Sequence, residues 1–377
     1  MVKIGFAGDF CPWKRMELLF EQGNWQEALS DARQLLTAND LNVLDLECPL
    51  TLGENAITKT GPHLKAHPKV AAMLPWLKCH LVATANNHFM DYGAGGLQDT
   101  QEALRRVEVD WIGSGQNFAE ASAVYTTEIK GRKFAFVNMA ENEWSTTYGA
   151  EPGCNPLDLV HAQRAIAQGR KEADFVIVII HGGHEYYNLP SPRMKREFRF
   201  MVNVGADAVL AHHTHVVSGY EQYQGRPIFY GLGNFCFDWE ERFRNHSWNI
   251  GMLLHLQFEQ SGEINFHFDL IRQNDEQAGI QILGKQTAQE TRDNILQLNE
   301  IIQDDAQLEH HFRQYCEQQV SKTMTRLEPY ANRYLTALHK RQLIPSLLSR
   351  QKQILLTNLV RCESHREVLL EVLKRQV

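Results

Sequence analysis

The chain has 377 residues, 43% of them hydrophobic and 22% charged, with a formal net charge of −7. That is ordinary globular material with ample apolar residues for a core. A mildly acidic chain without a Lys/Arg block is poorly suited to a phosphate backbone, which argues against nucleic acid as a partner.

The N-terminus (MVKIGFAGDF) enters a strand at once and lacks the apolar segment of a signal peptide. Residues 2–7 form a short apolar run ending at Gly8-Asp9 and read as a buried strand. Residues 17–36 carry apolar positions at helical spacing, among them Leu18, Leu19, Trp25, Ala28 and Leu35. A second strand, 42–46 (NVLDL), leads into Glu47. Pro68 suits the first turn of a helix running to Trp76, a third strand covers 81–86 (LVATAN), and 96–107 reads as a helix. Strands alternating with helices imply parallel βαβ units. A hairpin turning at Gly131-Arg132 is expected over 125–137, followed by a helix over 157–170. The longest strongly apolar run, Phe175–Ile180, reads as a fully buried strand and is far short of the ~20 residues of a membrane helix. A helix over 193–204, the strand AVLAHH and strands at 227–230, 249–258 and 263–271 follow, the last two joined by Ser261-Gly262.

The pattern changes near residue 285. Ile295, Leu298 and Ile302, and later Leu348, Leu355, Leu359 and Cys362, recur at helical spacing in a stretch rich in Gln, Glu, Lys and Leu. The expected division is an α/β domain over 1–284 and an all-helical region over 285–377 that contributes no metal ligand. Seven widely spaced cysteines without a CxxC fit reduced thiols and a cytoplasmic protein better than a disulfide framework.

Five segments place polar residues just after an apolar strand: Gly8-Asp9-Phe10-Cys11, Asp45-Leu46-Glu47-Cys48, Asn86-Asn87-His88 with Asp91 three residues on, His181-Gly182-Gly183-His184-Glu185-Tyr186, and His212-His213-Thr214-His215. A parallel sheet brings such ends to one edge, where ligands bind in open α/β folds. Carboxylates, an amide oxygen and imidazoles together suit borderline divalent metals such as Mn²⁺, Fe²⁺ or Zn²⁺ better than calcium. Two such ions sharing a carboxylate can activate a water and clamp a phosphoryl group. Singly, each piece has a plainer reading. Asp9 can cap a helix, Glu47 can be a paired carboxylate, and His88 can be a hydrogen-bonded core histidine. His213 and His215, two apart on an extended segment, are expected to face one side.

The motifs GD, LECPLT, ANNHFMDYG, HGGHEY, GADAVLAHHTHVVSGYE and GRPIFYGLGNFCFD, with GSGQNFAEA at 113–121, resemble the bacterial capsule-synthesis CapA family, also called the poly-γ-glutamate capsule family. That family resembles a branch of the calcineurin-like metallophosphatases, and the match covers residues 1 to about 240. The resemblance implies a metallophosphatase-like four-layer α/β/β/α sandwich carrying the C-terminal all-helical appendage. It implies two divalent ions (Mn, Fe or Zn) held by Asp9, Glu47, Asn87, His181, His213 and His215. His88 takes the place of the catalytic histidine, with Asp91 expected to orient it and raise its pKa. Two departures stand out. The superfamily's Asp-x-His is here Asp9-Phe10-Cys11, leaving Cys11 as thiolate ligand or small filler, and the bridging Asp is replaced by Glu47.

His184, Glu185 and Tyr186 are expected to line the cleft and contact substrate. Asn234 and Asp238 hold a turn or touch substrate. His63 and His67 are expected on an exposed loop, and Trp239 and Trp248 in packing roles. The implied function is a metal-dependent phosphoesterase-type hydrolase acting on a small phosphorylated or polymer substrate of capsule synthesis. The alternatives are a non-hydrolytic accessory protein that binds a capsule polymer or phosphorylated intermediate, and a scaffold with a vestigial site. The C-terminal helices are candidates for contacts with capsule-synthesis proteins or a second copy.

Overall fold

A computed structural model describes residues 1–361 apart from Thr60, Glu240 and Ala331. Its strands in chain order are β1 (Val2–Cys11), β2 (Leu41–Leu46), β3 (Cys79–Ala83), β4 (Asp110–Ile112), β5 (Ser114–Gly115), β6 (Tyr125–Ile129), β7 (Arg132–Ala140), β8 (Gly153–Cys154), β9 (Phe175–His181), β10 (Ala208–His212), β11 (Tyr220–Tyr223), β12 (Arg226–Phe229), β13 (Asn234–Phe237), β14 (Ile250–Phe258), β15 (Ile264–Gln273) and β16 (Ile280–Ile282). One sheet has the order β16-β15-β14-β1-β2-β3-β4, with β13 added beside β1. The other has the order β11-β12-β10-β9-β7-β6. β1 to β4 run parallel, as do β12, β10, β9 and β7, so the expected parallel cores are present, flanked by antiparallel edges.

Alternation along the strands builds the layers. In β9, Phe175, Ile177 and Ile179 enter a core between the sheets, while Val176, Val178 and Ile180 enter a core on the outer face. The inter-sheet core joins Val2, Ile4 and Phe6 of β1 to Phe134 and Phe136 of β7 and Leu210 of β10. Outside the first sheet lie Met16, Ala32 and Leu36, Val70 and Leu74, and Leu97 and Leu104, all from helical segments. Outside the second lie helices Leu159–Glu172, Pro192–Asn203 and Lys285–Gln303, contributing Ile166, Phe198, Leu298 and Ile302. Helix, sheet, sheet and helix therefore stack as a four-layer α/β/β/α sandwich.

Local differences have physical causes. The helical segment expected over 17–36 breaks into Arg15–Gln22, Trp25–Ala28 and Ser30–Leu36, because Gly23 closes the first helix in the left-handed conformation at φ 77°. The segment at 68–76 is a 3₁₀ turn, Pro68–Ala72, followed by the short helix Met73–Trp76. β3 stops at Ala83, leaving Thr84–Asn86 to begin a loop. Asp158 and Ser191 cap their helices through backbone N–H groups of His161 and Met194.

The first compact unit runs Met1–Glu309, past the expected boundary at 284, because Ile295, Leu298 and Ile302 of helix Lys285–Gln303 are buried within it. The second unit, from His310, is helical across its described part: the remainder of Asp305–Leu327, then Arg333–Lys340 and Arg350–Arg361. Leu355 there is exposed, while the Leu359 side chain and Cys362 lie outside the described residues. Among the described residues no helix is long and apolar enough to cross a membrane.

Candidate metal centre

The site grows from the carboxyl ends of both parallel cores. β1 pairs with β14 along Val2–Phe6, then with β13 along Asp9–Cys11, and its register with β2 shifts between Ala7 and Asp9. Gly8 permits it: a Cβ there would sit 1.8 Å from the Gly233 carbonyl oxygen. Asp9 N–H donates to that same oxygen at 3.1 Å, which fixes where the Asp9 side chain emerges. Asp45 is the register partner of Asp9 on β2, and Glu47 N–H donates to Phe10 O at 3.0 Å. In the second sheet, His181 and His212 are register partners at the ends of β9 and β10. After β3, Asn86 donates to Leu46 O and accepts from His88 N–H, folding the Asn87-His88 turn toward the same edge.

These ends converge. His181 Nδ1 lies 3.0 Å from Asp45 Oδ2, and its Nε2 lies 3.1 Å from Asn87 Oδ1 and 3.7 Å from Glu47 Oε1. His213 Nδ1 is 3.1 Å from His181 Nε2. His215 Nδ1 is 3.0 Å from Asp9 Oδ2, and its Nε2 is 3.6 Å from Glu47 Oε1. His212 Nδ1 is 3.2 Å from Asp9 Oδ1. Asp9, Glu47, Asn87, His181, His213 and His215 thus share one buried cluster. His213 and His215 do not arrive there on an extended segment, as expected from the sequence. The strand ends at His212, and both residues take left-handed backbone, φ 86° and 56°. Strained non-glycine backbone of this kind gathers at functional sites.

The electrostatics of the cluster are unbalanced. Burial, with Asp9 and Asp45 beside it, pushes the Glu47 carboxyl well above its ordinary range. Burial also raises Asp45. Burial opposes the Asp9 charge, but His212 and His215 hold that carboxyl far below the usual range. His181 and His213 are driven well below the imidazole value by burial first, and His213 also by its neighbour His181. Asp45 Oδ1 and both Glu47 oxygens are buried without a hydrogen-bond partner. Buried carboxylate oxygens left bare and imidazole nitrogens facing each other carry a desolvation cost that a cation offsets. Two overlapping donor groups, Glu47-His181-His213 and Asp9-Asp45-Glu47-His181, each have their ligand atoms within 4.8 Å of one another. A set of carboxylate, imidazole and amide donors fits a borderline divalent ion.

Beside the cluster, His88 Nδ1 donates to Asp91 Oδ2 at 2.8 Å, and Leu64 N–H fixes the same carboxylate at 2.7 Å. The Lys59 ammonium, 2% exposed, bonds the other Asp91 oxygen and lies 3.2 Å from His88 Nδ1. Asp91 does orient His88, but the expected rise in pKa is reversed. Burial lowers the imidazole, and Lys59 adds to that against the pull of Asp91.

His184, Glu185 and Tyr186 follow the Gly182-Gly183 turn. Tyr186 takes φ 64° and stacks on Phe243 and Trp248, with ring centroids 5.7 Å apart in each case. Trp248 in turn packs against His215 at 4.5 Å, so this packing residue also walls the cluster. Glu185 is exposed and acts electrostatically on Glu47, His213 and His215. Asn234 Oδ1 holds His215 Nδ1 at 3.0 Å, whereas Asp238 is clamped by the Arg15 guanidinium. His63 and His67 are half-buried, not exposed: one bonds Ile57 O, the other caps the turn at Pro68. Cys11 is fully buried in the outer core beside Cys48, burial raises its thiol, and its sulfur joins neither donor group of the cluster. The sequence places Asp45 and His212 in strand-end segments without a role of their own, and does not mark Lys59. Asp45 and His212 are the last inward residues of apolar strands, and only their strand-end position signals them.

Residues 3–239 match the family model described as bacterial capsule synthesis protein PGA_cap. The chain is 30% identical over 246 residues to the PGA biosynthesis protein CapA of Bacillus subtilis, a match covering 63% of this chain and 64% of that protein. It is 34% identical over 183 residues to the capsule biosynthesis protein CapA of Bacillus anthracis, covering 47% and 44%. It is 28% identical over 229 residues to a probable polyglutamine synthesis accessory protein of Mycobacterium tuberculosis, covering 57% and 60%. In each case the match spans less than two thirds of the relative's own length.

Proposed function

The chain belongs to the bacterial capsule synthesis PGA_cap family, and from that premise we propose that it is a metal-dependent phosphoesterase-type hydrolase serving capsule or poly-γ-glutamate synthesis. The observation that carries this reading is the set of bare Glu47 and Asp45 oxygens facing His181, His213 and His215 in a buried cluster at the strand ends. Asp9, Glu47, Asn87, His181, His213 and His215 are the assigned ligands of two divalent ions (Mn, Fe or Zn), with Glu47 and His181 common to both donor groups. A divalent ion held there supplies Lewis acidity toward a phosphoryl oxygen and makes a nearby water more acidic.

The protein's own groups do the rest. His212 and His215 fix Asp9 in its ionised form. Asp45 orients His181 through Nδ1, the outer-carboxylate arrangement that sets a ligand's tautomer. His88, whose Nδ1–H is held by Asp91, has Nε2 left for proton transfer: it takes up a proton from solvent to become the imidazolium that Asp91 stabilises, then gives that proton to the departing oxygen. His184, Glu185 and Tyr186 form the substrate-side rim. The test is elemental analysis of the purified full chain, paired with a panel of phosphomonoesters and phosphodiesters before and after chelation. Turnover that disappears on chelation and returns with added metal is expected. Metal retained at the cluster with no turnover on any ester overturns the hydrolase and leaves a metal-containing accessory protein. That second reading has support from the similarity to a probable polyglutamine synthesis accessory protein of Mycobacterium tuberculosis.

A further inference from the structure

A second histidine cluster lies on the outer face of the first sheet and shares no residue with the candidate metal centre. His255 of β14 and His267 of β15 are directly opposite in antiparallel register, their rings stacked at 4.6 Å and 10°. Asp269, two residues beyond His267, projects from the same face and brings Oδ2 to 3.2 Å from His255 Nε2. One ligand atom from each of the three lies within 4.8 Å of the others.

A chain of amides sets the tautomer of His255. Asn42 donates from Nδ2 to the Leu36 and Lys78 carbonyls, so its Oδ1 accepts from Asn39 Nδ2 at 2.8 Å. That turns Asn39 Oδ1 toward His255, whose Nδ1–H donates to it at 3.0 Å. Space for this chain is reserved by Gly5, the register partner of His255 on β1, where a Cβ would come within 2.2 Å of Asn39 Nδ2. With Nδ1 turned to Asn39, Nε2 is the ring nitrogen that faces the Asp269 carboxylate. His255 is 2% exposed, and its Nε2 has no hydrogen-bond partner. A ring nitrogen facing a carboxylate oxygen at this distance is bridged by a proton or by a metal cation, and the second histidine beside them favours the metal. Fixing Nδ1–H on an outer acceptor to free Nε2 is how proteins prepare a histidine ligand. Gln257 Nε2 lies 3.1 Å from His267 Nδ1 and donates to it as placed; a turn of the amide would bring its oxygen to accept Nδ1–H and free the other ring nitrogen.

We propose that His255, His267 and Asp269 bind a divalent cation of the borderline class, with Zn²⁺, Co²⁺ and Ni²⁺ its natural occupants, and that the ion staples β14 to β15. Two imidazoles and one carboxylate leave coordination positions for water. Lys3 and Arg292, which act electrostatically on His267 and Asp269 respectively, temper the affinity.

The test uses full-length protein stripped of metal and titrated with Co²⁺, followed by its d–d absorption, and with Zn²⁺ by calorimetry. The variants are His267→Ala and Asp269→Asn, both at solvent-accessible positions away from the core. Wild type is expected to take up one equivalent more than either variant, or to hold that equivalent at least ~10-fold more tightly. Phosphoesterase activity is expected to be unchanged in both. Because the readout is the difference between wild type and variant, it stands even if the main cluster binds nothing. Equal stoichiometry and equal affinity in all three proteins overturn the proposal and leave a His255–Asp269 ion pair.

Discussion

His181 and His213 face each other through ring nitrogens 3.1 Å apart, with Asp45 behind one ring and Glu47 between them and His215. A ligand histidine and a proton-transfer histidine respond differently to loss. His213→Asn is expected to abolish both activity and metal retention, whereas His88→Asn keeps its metal and lowers kcat by ~10²–10⁴-fold, the usual size of an acid–base contribution. Metal stoichiometry and kcat measured on the same preparations separate the two. Chelation is expected to lower Tm, since an ion present at 100 times its Kd contributes about 2.7 kcal/mol. An unchanged Tm would mean that the bare Glu47 oxygens are tolerated without a cation. The residues that meet in the buried cluster were readable because each closes an apolar strand run or opens the turn that follows it. Asp45 and His212 occupy the same positions but sit one or two residues before a more conspicuous neighbour. Lys59 was not readable at all, because it enters from a loop far in sequence from Asp91, and nothing local marks a lysine as buried.

The element that places the candidate metal centre is β1, and its register shift beside Gly8 has a steric cause. A Cβ at Gly8 meets backbone, the Gly233 carbonyl, not a side chain that can turn away. Gly8→Ala is therefore expected to separate β1 from β13, shift Asp9 and cost at least about 1–3 kcal/mol, the range of an overpacked core. A fall in Tm together with loss of metal is the expected pair of results; a stable variant with full metal content would show that the strand switch does not position Asp9. The strands expected from apolar runs are present because β-branched and aromatic residues there fill two cores at once, as in β9. β4, β5, β8, β11, β13 and β16 escaped notice because they are short and lack long apolar runs. The break at Gly23 was also hidden, since helical spacing on both sides of a glycine reads as one continuous stripe.

At the scale of the whole molecule, the parallel cores were legible from strand and helix alternation, and the pairing of two sheets came only from the family resemblance. Nothing in local periodicity says that the outward residues of one sheet meet those of another, because that is a property of tertiary packing. The C-terminal periodicity marked helices correctly but not which of them belong to the sandwich. Helix Lys285–Gln303 sends Ile295 into the inter-sheet core and Leu298 and Ile302 into the outer core, while Asn299 Oδ1 accepts from Tyr220 N–H at 2.6 Å. Lys195, itself buried, donates to Ile302 O and pairs with Asp305. Removing residues from 285 onward would take away three buried aliphatic side chains, forfeiting about 1.5–3 kcal/mol each as the surface they cover opens to water, and would leave a buried ammonium without its acceptors. That sum approaches the whole stability of an average domain, about 5–15 kcal/mol. A chain ending at Gly284 is accordingly expected to be insoluble or to unfold without cooperativity. A chain ending at Glu309 retains those contacts and is expected to keep its metal content and to melt within a few degrees of the full protein. Calorimetric melting and elemental analysis of the two truncations decide the matter: equal behaviour of both would mean that helix Lys285–Gln303 is an ornament on the sandwich and not one of its layers.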